Sequence, residues 1–565
     1  MRARLLGFLG RWAVYGVLTA IAALPILLEQ SIERASFEDR LGTFPVQVSL
    51  AHNGFTTLDT GLVGKLYWER TGVGGFGAAV RSTGPPEAGG TLTSYVAPDF
   101  VQANAAFIDD PGDVAKVYGS ELRSQVLSLL LVTELVAGVG GGLVGAWLFS
   151  GASAHPRGRR LAIRVITSTV VVTSSAVLAA ALFTRWDGNV EVGDRFDMPG
   201  VEELSFSSQQ TREVAQQVQP FIEKNSARIA ERSESYRETA NASFAEQLDL
   251  HIDDLTPREG ERVLLQEADS QGSQVGTKVR AELYPLLVEA LGEDAVMLRV
   301  IAGDVTSNGT VAEKDYVKRE VDALPDVPLV AVKGDHDSDD TVEQLRDDGA
   351  QAPDLEVLDV DGLAVTGAAD PAFKALFGGL ITNPSGVSET ETGQRLREVV
   401  DEDAEGAVQV VLHQPRAAAA YLGITSLNDP SLDTTDPTVP TDDGIPDVPA
   451  GTVSIGHLHD VDGPWVIWNT DSDEVTWTVV SQLGTSGGVE ENPTFNRFST
   501  PFSVPLKDVT MQLAYLNPET GLQTGYARIV IGTDGEVSIE DRVDVGLPGG
   551  MPRVVPRVEP AAPSS

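Results

Sequence analysis

The sequence predicts an α/β domain carried behind transmembrane helices, and three observations point there. Apolar residues concentrate in three long runs within the first third of the chain, and the remainder is polar. From about Arg262, short apolar runs alternate with helix-like polar stretches, the rhythm of an α/β fold. Between the first two long runs, alternating stretches punctuated by Gly and Pro read as a small β-rich outer segment.

Composition sets the limits. A chain of 565 residues exceeds one core, since domains hold roughly 100 to 200 residues, so more than one folded unit is expected. The absence of cysteine excludes a disulfide scaffold, a cysteine nucleophile and any cysteine-ligated zinc or iron–sulfur site. Asp and Glu number 82 against 41 Lys and Arg, a net charge of −41. Nucleic-acid binding rests on neutralising phosphates with basic residues, so no nucleic-acid partner is expected. An acidic surface suits a salty or extracytoplasmic setting.

The membrane elements come first. Residues 1–29 form an anchor around the run from Trp12 to Leu28, and residues 124–185 form a hairpin of two spans, Val126 to Phe149 and Leu161 to Phe183. Each run approaches the ~20 residues that cross the hydrocarbon layer. The end of the first run, Leu24-Pro25-Ile26-Leu27-Leu28, lacks the small-residue pattern of a signal cleavage site, so an uncleaved span is expected. Arg2, Arg4 and Arg11 precede the first span, while Arg157, Arg159, Arg160 and Arg164 crowd the link between the second and third. Both regions are therefore expected in the cytoplasm, making a multi-pass plasma-membrane protein with an extracytoplasmic C-terminal part. In the second span Gly138, Gly141, Gly142 and Gly145 are spaced for close helix approach. Glu134 there raises a transport or assembly reading, which the lack of a visible inverted repeat weakens.

Outside the membrane, residues 30–123 hold the β-rich segment, with alternation over Phe44 to Leu50 and Gly64 to Trp68. Residues 186–260 read as a linker with an amphipathic helix, its apolar positions being Val214, Val218, Phe221, Ile222 and Ile229. Residues 261–546 carry the strand-like runs Val263 to Leu265, Val296 to Ile301, Leu329 to Val332 and Val408 to Leu412. Ser426 to Pro449, rich in Thr, Pro and Asp, is expected to be an exposed loop, and residues 547–565 a mobile Pro-rich tail.

Loops at strand ends are where sites are built. Four of the seven histidines, His336, His413, His457 and His459, stand where an apolar run ends. In order, the punctuated positions are Asp269-Ser270-Gln271, Gly303-Asp304, Gly334-Asp335-His336-Asp337, His413 and Gly456-His457-Leu458-His459. Taken singly each is plain, since a Gly-Asp pair occurs by chance and a strand-end His is usually a hydrogen-bonded loop residue. Five in order are a signal, and Asp with neutral His suits Mn, Fe, Zn or similar ions. Gly456 permits the backbone turn that alternate histidines need in order to converge.

That order resembles the calcineurin-like metallophosphoesterase family, whose pattern is D-x-H, G-D, G-N-H-[DE], H and G-H-x-H. It covers about residues 262 to 490 and is most similar to membrane-anchored actinobacterial members with N-terminal spans. The resemblance implies an αββα sandwich and a metal-dependent phosphoric ester hydrolase, a phosphatase or phosphodiesterase. It implies that Asp269, Asp304 and His459 hold one divalent ion, with Gln271 at the position of the family's histidine. Asp335, His413 and His457 would hold a second, Asp304 being shared. His336 would contact the substrate phosphate and assist the leaving oxygen, with Asp337 orienting its imidazole. Two such ions about 3.5 to 4 Å apart, Mn favoured over Fe, Zn or Mg, can hold a bridging hydroxide and stabilise an in-line displacement. The implied partners are a phosphoester substrate, lipid-linked or borne on the cell envelope, and the bilayer itself.

Two departures bear on this. Gln271 is a neutral and weaker donor than imidazole, which predicts a weakened first site. Asp335, where the family has Asn, adds negative charge and predicts a stronger second site and a preference for harder ions such as Mn or Mg. They also motivate an alternative, a degenerate family member that binds metal or phosphate in the envelope with little catalysis. The glycine-rich run Ser481 to Gly488 either offers backbone amides to an anion or is a plain tight turn, and Asn308 is a candidate to face the cleft.

Overall fold

The structure is a computed structural model. It describes residues 2–41, 44–51, 55–59, 65–68, 77–83, 111–148, 195–197, 205–292, 294–374, 381–432, 436–442, 444–471, 474–489 and 504–554. The chain divides into two units.

The first unit contains helix α1 (Arg2–Arg34), strands β1 (Ser36–Leu41), β2 (Phe44–Ala51), β3 (Thr56–Asp59), β4 (Lys65–Trp68) and β5 (Gly77–Ser82), helix α2 (Pro111–Leu148), and strands β6 (Phe196–Asp197) and β7 (Ser205–Phe206). The seven strands form one sheet in the order β1-β2-β5-β3-β4-β7-β6, so the β-rich segment recruits two short strands from beyond helix α2. On β2 the alternation is literal, with Val46, Val48 and Leu50 buried and Gln47 exposed.

Among the described residues, two helices are long and apolar enough to cross a membrane, over Phe8–Arg34 and Lys116–Ala146. They pack together through the glycines read from the sequence. A Cβ on Gly142 would fall 2.7 Å from the Trp12 carbonyl oxygen, and one on Gly145 2.6 Å from the Tyr15 ring. Away from this seam Val14, Val17, Leu131 and Leu135 are exposed, as lipid-facing residues would be. The expected third span, from Leu161 to Phe183, lies outside the described residues.

Helix α3 (Gln209–Leu255) covers the expected amphipathic stretch; the side chains of Val214, Val218, Phe221, Ile222 and Ile229 lie outside the described ones. Further along, Tyr236, Ala240, Phe244 and Leu248 recur every four residues and are buried against the second unit's first sheet. In that unit the chain runs β8 (Arg262–Glu267), α4 (Gln274–Leu291), β9 (Val296–Ile301), α5 (Lys314–Val321), β10 (Leu329–Ala331), α6 (Asp339–Asp347), then β11 (Glu356–Val360), β12 (Leu363–Ala368) and the small hairpin β13 (Phe373–Lys374) and β14 (Ile381–Thr382). It continues through α7 (Glu389–Asp403), β15 (Val408–Leu412), α8 (Pro415–Leu422), β16 (Gly451–Ile455), β17 (Asp462–Asn469), β18 (Glu474–Gln482), β19 (Val509–Leu516), β20 (Gln523–Ile531), β21 (Val537–Ile539), β22 (Val543–Asp544) and β23 (Arg553–Val554).

The strands make two sheets, ordered β10-β9-β8-β19-β20-β21 and β11-β12-β15-β16-β18-β17. Strands β8, β9 and β10 are parallel, as are β12, β15, β16 and β18, so within each sheet their C-terminal ends share one edge. Every residue of β9, β15 and β16 is buried, as expected for central parallel strands covered on both faces. Leu264, Leu298 and Val300 of the first sheet share an apolar layer with Val365 and Val411 of the second. Helices α3 and α4 cover the outer face of the first sheet, and α7 and α8 that of the second.

Two expectations shift. The stretch from Ser426 to Pro449 is more than an exposed loop, because Leu432, Ile445 and Val448 are buried against the second sheet. The tail begins as structure, since Arg553 and Val554 pair with Val475 and Glu474; residues 555–565 lie outside the described ones. Behind β8 and β9 sits a fully buried set of charges. Glu267 and Glu320 accept hydrogen bonds from Arg280 and Arg299, with all four side chains at most 1% exposed.

Candidate metal centre

The predicted residues arrive from both sheets. Asp269 and Gln271 follow β8, Asp304 follows β9, Asp335, His336 and Asp337 follow β10, His413 follows β15, and His457 and His459 follow β16. Parallel strands deliver these turns to a common edge, where the backbone is strained. Seven described non-glycine residues have positive φ, and five of them are Asp269, Gln271, Asp304, His457 and His459. Left-handed backbone costs such residues of order 1 kcal/mol each and persists where the surroundings demand it, as at functional sites.

Two triads of donor atoms fall within 4.8 Å of one another, Asp335–His413–His457 and Asp269–Asp304–His413. A third, Asp304–Asp335–His336, brings His336 within the same range. Nε2 of His413 lies 3.3 Å from Asp335 Oδ1, 3.4 Å from Asp304 Oδ1 and 3.3 Å from His457 Nδ1. His457 Nδ1 is 3.7 Å from Asp335 Oδ1, and His459 Nε2 is 3.6 Å from Asp269 Oδ1.

Backbone carbonyls set the tautomers. His413 Nδ1 faces the Ala302 carbonyl at 2.9 Å, and His459 Nδ1 faces that of Val489 at 2.9 Å. A carbonyl only accepts, so each Nδ1 carries a proton, and in the neutral imidazole each Nε2 turns a lone pair inward. Nε2 of His459 is buried and has no hydrogen-bond partner among the described residues. With the imidazoles neutral, the centre is a convergence of acceptors, imidazole lone pairs against carboxylate oxygens, a donor set that could hold a cation. Oriented imidazoles of this kind are typical of metal-ligating histidines.

The titration behaviour agrees. Burial, then the neighbouring carboxylates Asp335 and Asp337, push Asp304 up to about 8 against the pull of His413. Burial lifts Asp269 to about 6 against His459 and His413. With no cation in place, burial opposes a charge on His413, but Asp304, Asp335 and Asp269 raise it well above the usual imidazole range, so its Nε2 takes a proton. Burial also works against the charge on Asp335, but bonds from His413 and His457 then hold that carboxyl well below the usual carboxylate range. Protons and cations compete for such a cluster, so cation binding would release protons.

Other predicted residues have different partners. Gln271 donates from Nε2 to Asp304 Oδ2 at 3.0 Å. The role of Asp337 needs correction: its carboxylate accepts from the backbone N–H of Val305, Thr306 and Gly334 and from the Thr306 hydroxyl, tying two site loops together. The imidazole of His336 is met instead by the Ser307 carbonyl, 3.1 Å from Nδ1. The amides of Ser486 and Gly487 are donated to the carbonyls of Ala268 and Asp269, so that run is a tight turn bracing the β8 loop. Asn308 is 4% exposed, and its N–H donates to Glu313.

Glu313 was not read from the sequence. Its buried carboxylate accepts from the N–H of Ser307, Asn308 and Thr310 and from the Thr310 hydroxyl, fixing the loop that presents Ser307 to His336. The Thr310-x-x-Glu313 spacing of a capping box was the available signal. Asp370 and Gln414 were also unassigned: Gln414 Nε2 donates to Asp370 Oδ2 at 2.8 Å and lies 3.4 Å from His457 Nδ1. No family model matches the chain, and no curated protein matches it.

Proposed function

We propose that this protein is a metal-dependent phosphoesterase of the calcineurin-like kind, hydrolysing phosphomonoesters or phosphodiesters. The observation that carries the reading is the inward convergence of acceptors on six residues from two sheets, with His459 Nε2 buried and unpartnered among the described residues. The two-sheet arrangement with helices on both outer faces is compatible with an αββα sandwich. The two apolar helices support a membrane tether, the apolar run from Leu161 to Phe183 supports a third span, and the arginine pattern supports an extracytoplasmic C-terminal part.

In this reading Asp269, Asp304 and His459 hold one divalent ion, and Asp335, His413 and His457 the other. Bound there, the ions supply Lewis acidity toward phosphoryl oxygens and acidify water. The chain's own residues do the rest. Asp304, placed between the two groups, is the shared carboxylate, and the Ala302 and Val489 carbonyls keep His413 and His459 aimed inward. His336, whose Nδ1 faces the Ser307 carbonyl, is the residue that would meet the substrate phosphate and, protonated, donate to a leaving oxygen.

The test is Asp304→Asn in the full chain, assayed with Mn on a phosphomonoester and a phosphodiester. Loss of hydrolysis by at least about 100-fold with an unchanged circular dichroism spectrum is expected, and unchanged turnover would remove the assignment. One observation favours a second reading, a weakly catalytic metal- or phosphate-binding envelope protein: Gln271 spends its amide N–H on Asp304. A wild type inert on both esters that gains hydrolysis in Gln271→His would support it.

A further inference from the structure

The two halves of the centre are unequal in the carboxylate they share. Asp304 Oδ1 joins Asp335 Oδ1 and His457 Nδ1 around His413 Nε2, at 3.4, 3.3 and 3.3 Å from that nitrogen. These are two imidazoles and two carboxylates, enough donors and charge for one divalent ion. Asp304 Oδ2 faces the other way and is taken by the Gln271 amide N–H. Against an ionised Asp304 the amide keeps its N–H on Oδ2, because its oxygen there would set two acceptors together. Nor can the residue drift off. Its backbone N–H donates to the Asp304 carbonyl at 2.8 Å, its own carbonyl accepts from the Ser307 hydroxyl at 2.6 Å, and it is 3% exposed.

From this we infer that the centre fills in sequence. A tight cation site consists of Asp304, Asp335, His413 and His457, and a loose one beside Asp269 and His459 opens only when the Gln271 amide turns over and gives up its hydrogen bond to Asp304. The inference rests on the metal-centre reading but not on hydrolysis. Loss of one buried hydrogen bond sets the second ion about 10- to 100-fold weaker than the first. A histidine at position 271 can present a lone pair without that cost. Gln271 is therefore the residue that decides between one ion and two at limiting metal.

The experiment titrates Mn into the metal-free full chain in detergent, with calorimetry for stoichiometry and electron paramagnetic resonance for proximity. The expected result is one tight equivalent with the six-line spectrum of an isolated Mn, then a second, weaker equivalent that brings the multiline signature of a coupled pair. In Gln271→His both equivalents should bind tightly and the coupled spectrum should appear at low Mn. Asp269→Ala and His459→Ala should keep the first equivalent, and His457→Ala should lose it, a comparison that holds even where the histidine variant fails to fold. Two equal equivalents in the wild type, or loss of the first in Asp269→Ala, would overturn the inference. Ordered filling without any ester hydrolysis would leave it standing while removing the phosphoesterase reading, and no bound Mn would remove both.

Discussion

Replacing Glu267 by glutamine tests the buried charge set beneath the candidate centre. Glu267 Oε1 accepts from Arg280 at 3.0 Å and from the Tyr284 hydroxyl, and Oε2 accepts from Arg299, with Glu320 balancing the second positive charge. All four charged groups are essentially inaccessible, so Glu267→Gln leaves one uncompensated positive charge with no water to receive it. Breaking such a buried pair by removing one partner costs about 3–5 kcal/mol. For a domain of this size each kcal/mol moves the melting point by about 2–4 °C, so a fall of about 10 °C is expected. The assay is thermal unfolding of the full chain in detergent, followed by circular dichroism at about neutral pH. The double variant Glu267→Gln, Arg280→Gln restores neutrality and should lose less than the sum of the two single variants. A fall of under about 2 °C in the single variant, or strict additivity in the double, would refute the reasoning.

Gly303→Ala would set a Cβ 2.5 Å from His413 Nδ1 at φ +84°, pushing the imidazole off the Ala302 carbonyl. Mn affinity should fall about 10- to 100-fold by calorimetry, and unchanged affinity would mean that His413 is not a ligand. Glu313→Ala leaves the N–H groups of Ser307, Asn308 and Thr310 without their acceptor and should cost about 3 kcal/mol. It should also blur the His336 tautomer in imidazole nitrogen spectra, a signal that stays sharp if Glu313 has no hold on that ring. Burial works against the charge on Glu261, yet bonds from Arg542, Thr524 and the Arg258 N–H bring its carboxyl down to about 2. Because the folded pKa lies below the unfolded one, this stabilisation, about 2 kcal/mol after allowance for screening, is present above pH ~4.5 and lost as pH falls through ~2. Glu261→Gln should flatten that part of the acid-unfolding curve, and an unaltered curve would contradict the pairing.

The strand ends were legible because two local signals coincide there, an apolar run and a ligand-type residue after it. Val296 to Ile301 followed by Gly303-Asp304 is the clearest case, matching β9 residue for residue. Strands β19 and β20 were not readable in the same way. Thr510 and Gln512 interrupt the apolar run, and what makes Gln512 a core residue is its bond to Gln266 on another strand. The same limit explains Asp337 and Glu313. Whether a carboxylate orients an imidazole or gathers backbone N–H groups depends on which loop folds beside it, and no spacing encodes that. Of the two readings left open for the run 481–488, the tight turn is the one found, because the amides of Ser486 and Gly487 belong to the neighbouring β8 loop, a pairing no local spacing encodes.

The pairing of β8 with β19 also bears on how the domain is made. Gln512 sits opposite Gln266 and Leu516 opposite Arg262, so the strand that delivers Asp269 is closed on one side by a segment translated roughly 250 residues later. A ribosome adding about 5–20 residues per second leaves β8 with that edge unpaired for tens of seconds. An open edge of Val263, Leu264 and Leu265 invites wrong pairing in that interval. Nascent chains stopped before Val509 should therefore be sticky and protease-sensitive, however complete their set of metal-binding residues.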